Sequence, residues 1–193
     1  MSGCVYHVSA YAGLTTLKPS VSTHGKAYVY AVEDITTGLL FGAEQDDFDF
    51  IISTLEDGRT EVCECYEGAF EKRFGGKACS VYTLSDEGFL RGRTNWSAEL
   101  VCENEVAVLS EERVDDLYSR LLEEVERGVL VLRRYSSDEE YRHRVAWHIV
   151  DRLIRFDIDI EHCLERGDRR FREHYAGIVR ALAAARDGSL LDC

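Results

Sequence analysis

Three features of the chain predict an α+β fold. Residues 1–109 carry short apolar–polar alternations bounded by turn residues, and the pattern after residue 110 changes to helical spacing. No repeat or low-complexity linker interrupts either region. The expectation is a split, mixed β-sheet domain over residues 1–135, with a helical extension over 136–193 packed on it. A length of 193 residues suffices for one well-packed domain.

The expected strands are Cys4–Ser9, Ala27–Val32, Phe48–Thr54, Glu61–Tyr66, Ala78–Leu84 and Val106–Leu109. Each is rich in β-branched or aromatic residues and bounded by Gly, Asp, Asn or Ser. Glu56–Asp57–Gly58–Arg59 reads as the hairpin turn between the third and fourth. Asp34 is placed to cap a short helix over Ile35–Phe41. A longer helix is expected to open at Ser110–Glu111–Glu112, to bury Val114, Leu117, Leu121, Leu122 and Val125, and to end at Gly128. Val129–Leu132 reads as a further strand. Ser137 with Glu140 forms a capping box for a helix through Val145, Ile149, Leu153 and Phe156. A last helix begins near Asp168 and carries Phe171, Tyr175, Val179 and Leu182 on its buried stripe.

Composition excludes several function classes. The net charge of −13 argues against nonspecific attraction to nucleic acid, which runs on Lys and Arg. The whole deficit falls in residues 1–128, with 11 basic and 24 acidic side chains; residues 129–193 hold 12 of each. Arg142, His143, Arg144, Arg152, Arg155, Arg169, Arg170 and Arg172 could face a polyanion, but they are interleaved with acids at helical spacing, which favours a salt-bridged surface. No window holds the roughly 18 uninterrupted apolar residues of a membrane span, and the amino terminus has neither a basic leader nor an apolar core. A soluble cytoplasmic protein is expected. Seven cysteines without a CxxC pair read as core residues of a reducing compartment; Cys63 and Cys65 lack the second pair that a tetrahedral metal site needs, so no metal is expected. The run Asp46–Asp47–Phe48–Asp49 reads as a solvated loop.

Chemistry concentrates in three places. His7 lies mid-strand with Val5 and Ser9 on its face, where a ring nitrogen suits a sugar hydroxyl or a backbone carbonyl. Tyr28 and Tyr30 share one strand face, which serves either to stack a planar ring or to fill a core. Trp96 and Glu99 precede the apolar run at Leu100, with Glu103 and Glu105 as competing carboxylates.

The order of these motifs, a first-strand histidine, Y-V-Y-A in the second strand before a short helix, and W-S-A-E-L-V late in the sheet, resembles the ADP-ribosyltransferase superfamily. The nearest resemblances are to small rifampin-modifying transferases and DNA-targeting ADP-ribosyltransferase toxins; RNA 2′-phosphotransferases are more distant. The resemblance covers residues 4–109. It implies that His7 binds a ribose hydroxyl of NAD, that Tyr30 (or Tyr28) stacks on nicotinamide, and that Glu99 is the catalytic glutamate. The turn Ser22–Thr23–His24–Gly25 would then lie at the pocket mouth. NAD enters as a substrate, without a metal.

The implied reaction is ADP-ribosyl transfer to an unidentified protein, nucleic acid or small molecule, or NAD hydrolysis in the same pocket. Ser97 stands where arginine-modifying members carry a second glutamate, so arginine gains no support as acceptor. Tyr30 stands where the phosphotransferases carry a second histidine. The alternatives are a nucleotide-binding module without catalysis and an interaction protein whose aromatics are core. The C-terminal helices either pack on the sheet or join two copies into a homodimer.

Overall fold

The computed structural model describes residues 3–21, 26–44, 48–94, 96–155, 158–167 and 169–190. Its strands are β1 (Cys4–Ser9), β2 (Thr16–Leu17), β3 (Ser20–Val21), β4 (Ala27–Val32), β5 (Phe50–Thr54), β6 (Thr60–Glu64), β7 (Cys79–Ser85), β8 (Leu90–Arg91), β9 (Glu99–Cys102), β10 (Val106–Val114) and β11 (Leu130–Arg133). Its helices are α1 (Ile35–Leu39), α2 (Ala69–Phe74), α3 (Leu117–Glu126), α4 (Glu139–Arg155), α5 (Ile160–Arg166) and α6 (Arg169–Leu190). The fold is α+β. Two compact units are distinguished by their internal contacts: Met1–Gln45 with Phe74–Leu130, and Asp46–Arg73 with Val131–Cys193. The C-terminal helices therefore share a unit with the β5–β6 hairpin.

The first unit is built on a sheet of order β2-β10-β7-β1-β4-β9-β8, with β3 added beside β4. The pairings of β1 with β4 and β7, of β4 with β9, and of β10 with β7 are all antiparallel. One face buries Val5, Val29, Ala31, Tyr82, Leu84 and Leu100. On the other face α1 settles against β1 and β4. It comes so close that a side-chain carbon on Gly38 would lie 3.0 Å from Val8 Cγ2 and 3.1 Å from Val32 Cγ2, and any larger residue there would push those two valines aside. Asp34 caps α1 as expected, accepting from Thr36 N at 3.3 Å and Thr37 N at 2.8 Å. Glu124 of α3 is buried, an acid inside an otherwise apolar stripe. Arg120 and Arg127 each bond it at 3.1 Å, and Thr36 donates to it at 3.3 Å.

The second unit has a sheet of order β11-β6-β5, and its core includes Phe48, Ile51, Cys63, Cys65, Val145, Ile149, Phe171, Tyr175 and Val179. Leu55 N bonds Arg59 O across the expected hairpin turn, and Gly58 takes the left-handed φ of +86° that such a turn requires. Among the C-terminal arginines, Arg180 bonds Glu161 at 2.6 Å, Arg169 lies 3.4 Å from Glu173, and Arg170 stacks 4.1 Å over Tyr66. Burial pushes the thiols of Cys63 and Cys79 up to about 12 and about 11. They stay protonated at neutral pH and pack as apolar groups.

Several expectations are corrected. The helix expected to open at Ser110 is strand instead: β10 continues to Val114, pairing Ser110 with Thr83 and Val114 with Cys79, and α3 begins after its N-cap Asp116. The side chain at the start of α4 that accepts from Glu140 N, at 2.9 Å, belongs to Asp138 rather than Ser137. Asp49 is buried rather than solvated, because Arg73 and Lys72 bond its carboxylate. Asp46, Asp47, Phe156 and Asp168 lie outside the described residues.

The hydroxyl of Tyr175 is buried without a hydrogen-bond partner among the described residues. Deleting an unsatisfied polar atom removes a desolvation penalty while keeping the ring's packing. Tyr175→Phe is therefore expected to leave the unfolding midpoint unchanged or raise it, by up to about 1 kcal/mol in a urea titration; a loss of stability would show that the hydroxyl is bonded in solution.

Candidate functional site

The site begins where two central strands part. β1 pairs with β7 over six residues, from Cys4↔Ser85 to Ser9↔Ser80, yet its register with β4 is the single pair Tyr6↔Val32. Beyond that pair, a side chain replaces the ladder: His7 Nδ1 lies 2.8 Å from the Tyr30 carbonyl oxygen. Burial lowers the pKa of His7, outweighing the bond to Tyr30, so the ring is neutral at pH 7. A carbonyl only accepts, so the hydrogen sits on Nδ1 and Nε2 carries a lone pair. That nitrogen is an acceptor suited to a hydroxyl.

A cavity of about 390 Å³ opens at this parting, a volume within the range of small-molecule sites. His7, Tyr28 and Tyr30 line it together. Leu14 and Leu17, from the segment that crosses from β1 to β3, form an apolar wall, while Thr16, Lys18 and Ser20 bring polar atoms. Tyr28 and Tyr30 meet edge to face, with ring centroids 5.9 Å apart and planes at 85°. The two rings therefore brace one another and do not sandwich a third ring between them.

The carboxylates lie differently. Glu99 opens β9 opposite Val32, and Val101 stands opposite Tyr30. Directly paired residues share a face, so Glu99, Tyr30 and Tyr28 project to one side of the sheet. Tyr6 is also paired with Val32, which sends its neighbour His7 to the opposite side, where its ring lies 6.4 Å from that of Tyr82. The cavity lining does not include Glu99. Tyr30 is the common element, presenting its carbonyl to His7 and its side chain to the Glu99 face. Of the competing carboxylates, Glu103 bonds Lys26 at 2.6 Å and Glu105 lies 3.6 Å from Lys18. The bond from Lys26 holds the Glu103 carboxyl below its ordinary value.

Ser22, Thr23, His24 and Gly25 lie outside the described residues, as does Asn95. Sequence reasoning missed Leu14, Leu17 and Lys18, because the stretch Gly13–Ser20 has no alternation to mark it as structured. Among the described residues no group of three or more His, Cys, Asp or Glu side chains gathers at metal-binding range, and no helix is long and apolar enough to cross a membrane.

His7 makes stability depend on pH. Its folded-state pKa lies below the ordinary 6.5, so on acidification the unfolded chain takes up the proton first. The stabilisation is complete above about pH 6.5 and is lost as the pH falls through the folded-state value. His148, whose pKa burial also lowers, adds in the same direction. Thermal melts of wild type are expected to fall between about pH 7 and pH 5, and His7→Asn, which keeps a donor for Tyr30 O but does not titrate, is expected to flatten part of that fall. Parallel curves for the two proteins would contradict it.

No family model, curated protein or solved structure matches the chain.

Proposed function

We propose that the chain binds NAD at the parting of β1 and β4 and transfers ADP-ribose from it to an acceptor, or to water. The reading is supported by one observation above all. His7 and the Tyr28–Tyr30 stretch of β4, which the superfamily resemblance assigns to the ribose and the nicotinamide, border a single cavity although they come from different strands, with the Tyr30 carbonyl turned to His7 and the two tyrosine rings to the opposite face. The neutral His7, with Nε2 as acceptor, can accept a hydrogen bond from a ribose hydroxyl. Leu14 and Leu17 supply an apolar surface for a planar ring, and Lys18 at the rim favours a phosphate-bearing ligand.

In this reading the reaction breaks the bond between nicotinamide and ribose, and positive charge grows at the anomeric carbon as it does in glycoside hydrolysis. A carboxylate bonded to the ribose 2′-hydroxyl then stabilises the transition state more than the ground state. The resemblance assigns that role to Glu99, which lies on the Tyr30 face, opposite His7 and outside the cavity lining. His7 and Tyr30 supply orientation.

A second reading, a nucleotide-binding module without catalysis, is favoured by the position of Glu99 outside the cavity lining and on the face opposite His7. Two measurements separate the possibilities. A ligand that binds only the folded state stabilises it by about 2.7 kcal/mol at a hundred times its Kd, so NAD is expected to raise the melting temperature. Nicotinamide release, followed with and without cell extract, is expected under the first reading and not under the second. A melting curve that NAD leaves unmoved overturns both.

A further inference from the structure

We propose that Glu111 is a positioning residue for the cavity, fastening the segment from Tyr11 to Leu14 over the strand face that carries His7. The inference rests on the reading of the cavity as a nucleotide site, and it names what holds one wall of that site.

The geometry is a row across three strands. Tyr82 of β7 stands opposite His7 of β1 on one side and opposite Glu111 of β10 on the other, so the three side chains share a face. The chain leaving β1 passes over this row and is bonded to it at each step. The fully buried Tyr82 donates its hydroxyl to Tyr11 O at 2.7 Å and accepts from Leu14 N at 3.2 Å. Between those contacts, Gly13 N lies 3.1 Å from each oxygen of Glu111. Glu111 Oε1 also accepts from Ser80 Oγ at 2.6 Å and lies 3.3 Å from the Tyr82 hydroxyl.

One carboxylate thus gathers donors from the sheet and from the crossing segment. The bonds from Ser80 and Gly13 hold its pKa below the ordinary value; it is ionised at neutral pH, and its bonds are charge-assisted. Gly13 adopts φ +77°, the left-handed conformation that turns its N–H towards Glu111, in open space where a side chain would meet nothing. Downstream, Thr15 O accepts from Val108 N at 3.0 Å and Leu17 pairs with Val106. The segment is therefore fixed at both ends. Leu14, the residue next to Gly13, lines the cavity opened beside His7. Loss of Glu111 leaves the Tyr11–Leu14 stretch bonded to Tyr82 but no longer held at Gly13, which loosens that wall without touching the strands that carry His7 and Tyr30.

The test compares wild type with Glu111→Gln and Glu111→Ala, reading amide hydrogen exchange in the ligand-free protein and NAD affinity by calorimetry. Glu111→Ala is expected to speed exchange at Gly13 and Leu14 at least about tenfold while Val81 and Leu84 of β7 exchange as before. It is expected to weaken NAD binding by about tenfold or more, with Glu111→Gln intermediate because its amide oxygen still accepts one bond. A general loss of structure would accelerate the β7 amides as well, so the local pattern separates positioning from unfolding. Unchanged exchange at Gly13 and Leu14 in both variants overturns the proposal, as does wild-type affinity in Glu111→Ala. If wild type binds no NAD, it is the nucleotide reading that falls, and the exchange rates alone then decide whether Glu111 fastens the segment.

Discussion

Glu99→Gln is expected to lower nicotinamide release from NAD by about a hundred-fold or more while leaving NAD affinity and the melting temperature close to wild type. The size follows from the role assigned to the carboxylate. A group that acts only on charge developing in the transition state is worth about 10²–10³ in turnover when removed, and it appears in kcat rather than in binding. Gln keeps the shape and one acceptor oxygen but loses the negative charge. The change should be mild for the fold, since Glu99 is only partly buried and Gln keeps its size and hydrogen-bonding capacity. The same assay on Glu103→Gln and Glu105→Gln discriminates among the carboxylates, because Glu103 follows Cys102 on the strand that pairs with Val29 and is held by Lys26. Unchanged turnover in Glu99→Gln alone would remove Glu99 from the mechanism, and unchanged turnover in all three would leave the chemistry without a carboxylate.

What the sequence made legible was set by local periodicity. β1 and β4 have the bounds expected of them, because both are short runs rich in β-branched and aromatic residues. Tyr28 and Tyr30 share a face by the strand's period of two. Which face of β1 matches that face of β4 is a different matter. It depends on the register Tyr6↔Val32, a contact between distant residues that no local pattern encodes. A shift of one residue exchanges the two sides, which is why His7 and Glu99 separate although both were expected at one cleft. Non-local pairing also explains the misread of Ser110–Glu112. Its acids are good first-turn residues for a helix, but pairing with β7 outweighs that preference, as tertiary context routinely does. The burial of Asp49 was hidden likewise, since its partner Arg73 lies on a helix more than twenty positions away.

That burial carries the largest stability effect expected here. The side chain of Asp49 is 3% exposed and that of Arg73 5%. The carboxylate receives Arg73 Nε at 3.2 Å, Lys72 Nζ at 3.3 Å and the Tyr66 hydroxyl, while the Arg73 guanidinium lies 4.3 Å over the Phe50 ring. Removing one member of a buried ion pair costs about 3–5 kcal/mol, because the remaining charge keeps its desolvation penalty and loses its compensation. Asp49→Ala is therefore expected to lower the unfolding free energy by that amount, a large share of the 5–15 kcal/mol typical of a folded protein. Asp49→Asn should lose less, since its carbonyl oxygen still accepts from Tyr66. The mechanism makes a further demand that simple loss of packing does not. Changing both partners, Asp49→Ala with Arg73→Met, removes the stranded charge and leaves an apolar chain against Phe50, so the double variant should recover much of what the single one loses. If the two substitutions add instead, the cost of Asp49→Ala lies in lost hydrogen bonds to Tyr66 and Lys72 and not in the buried guanidinium.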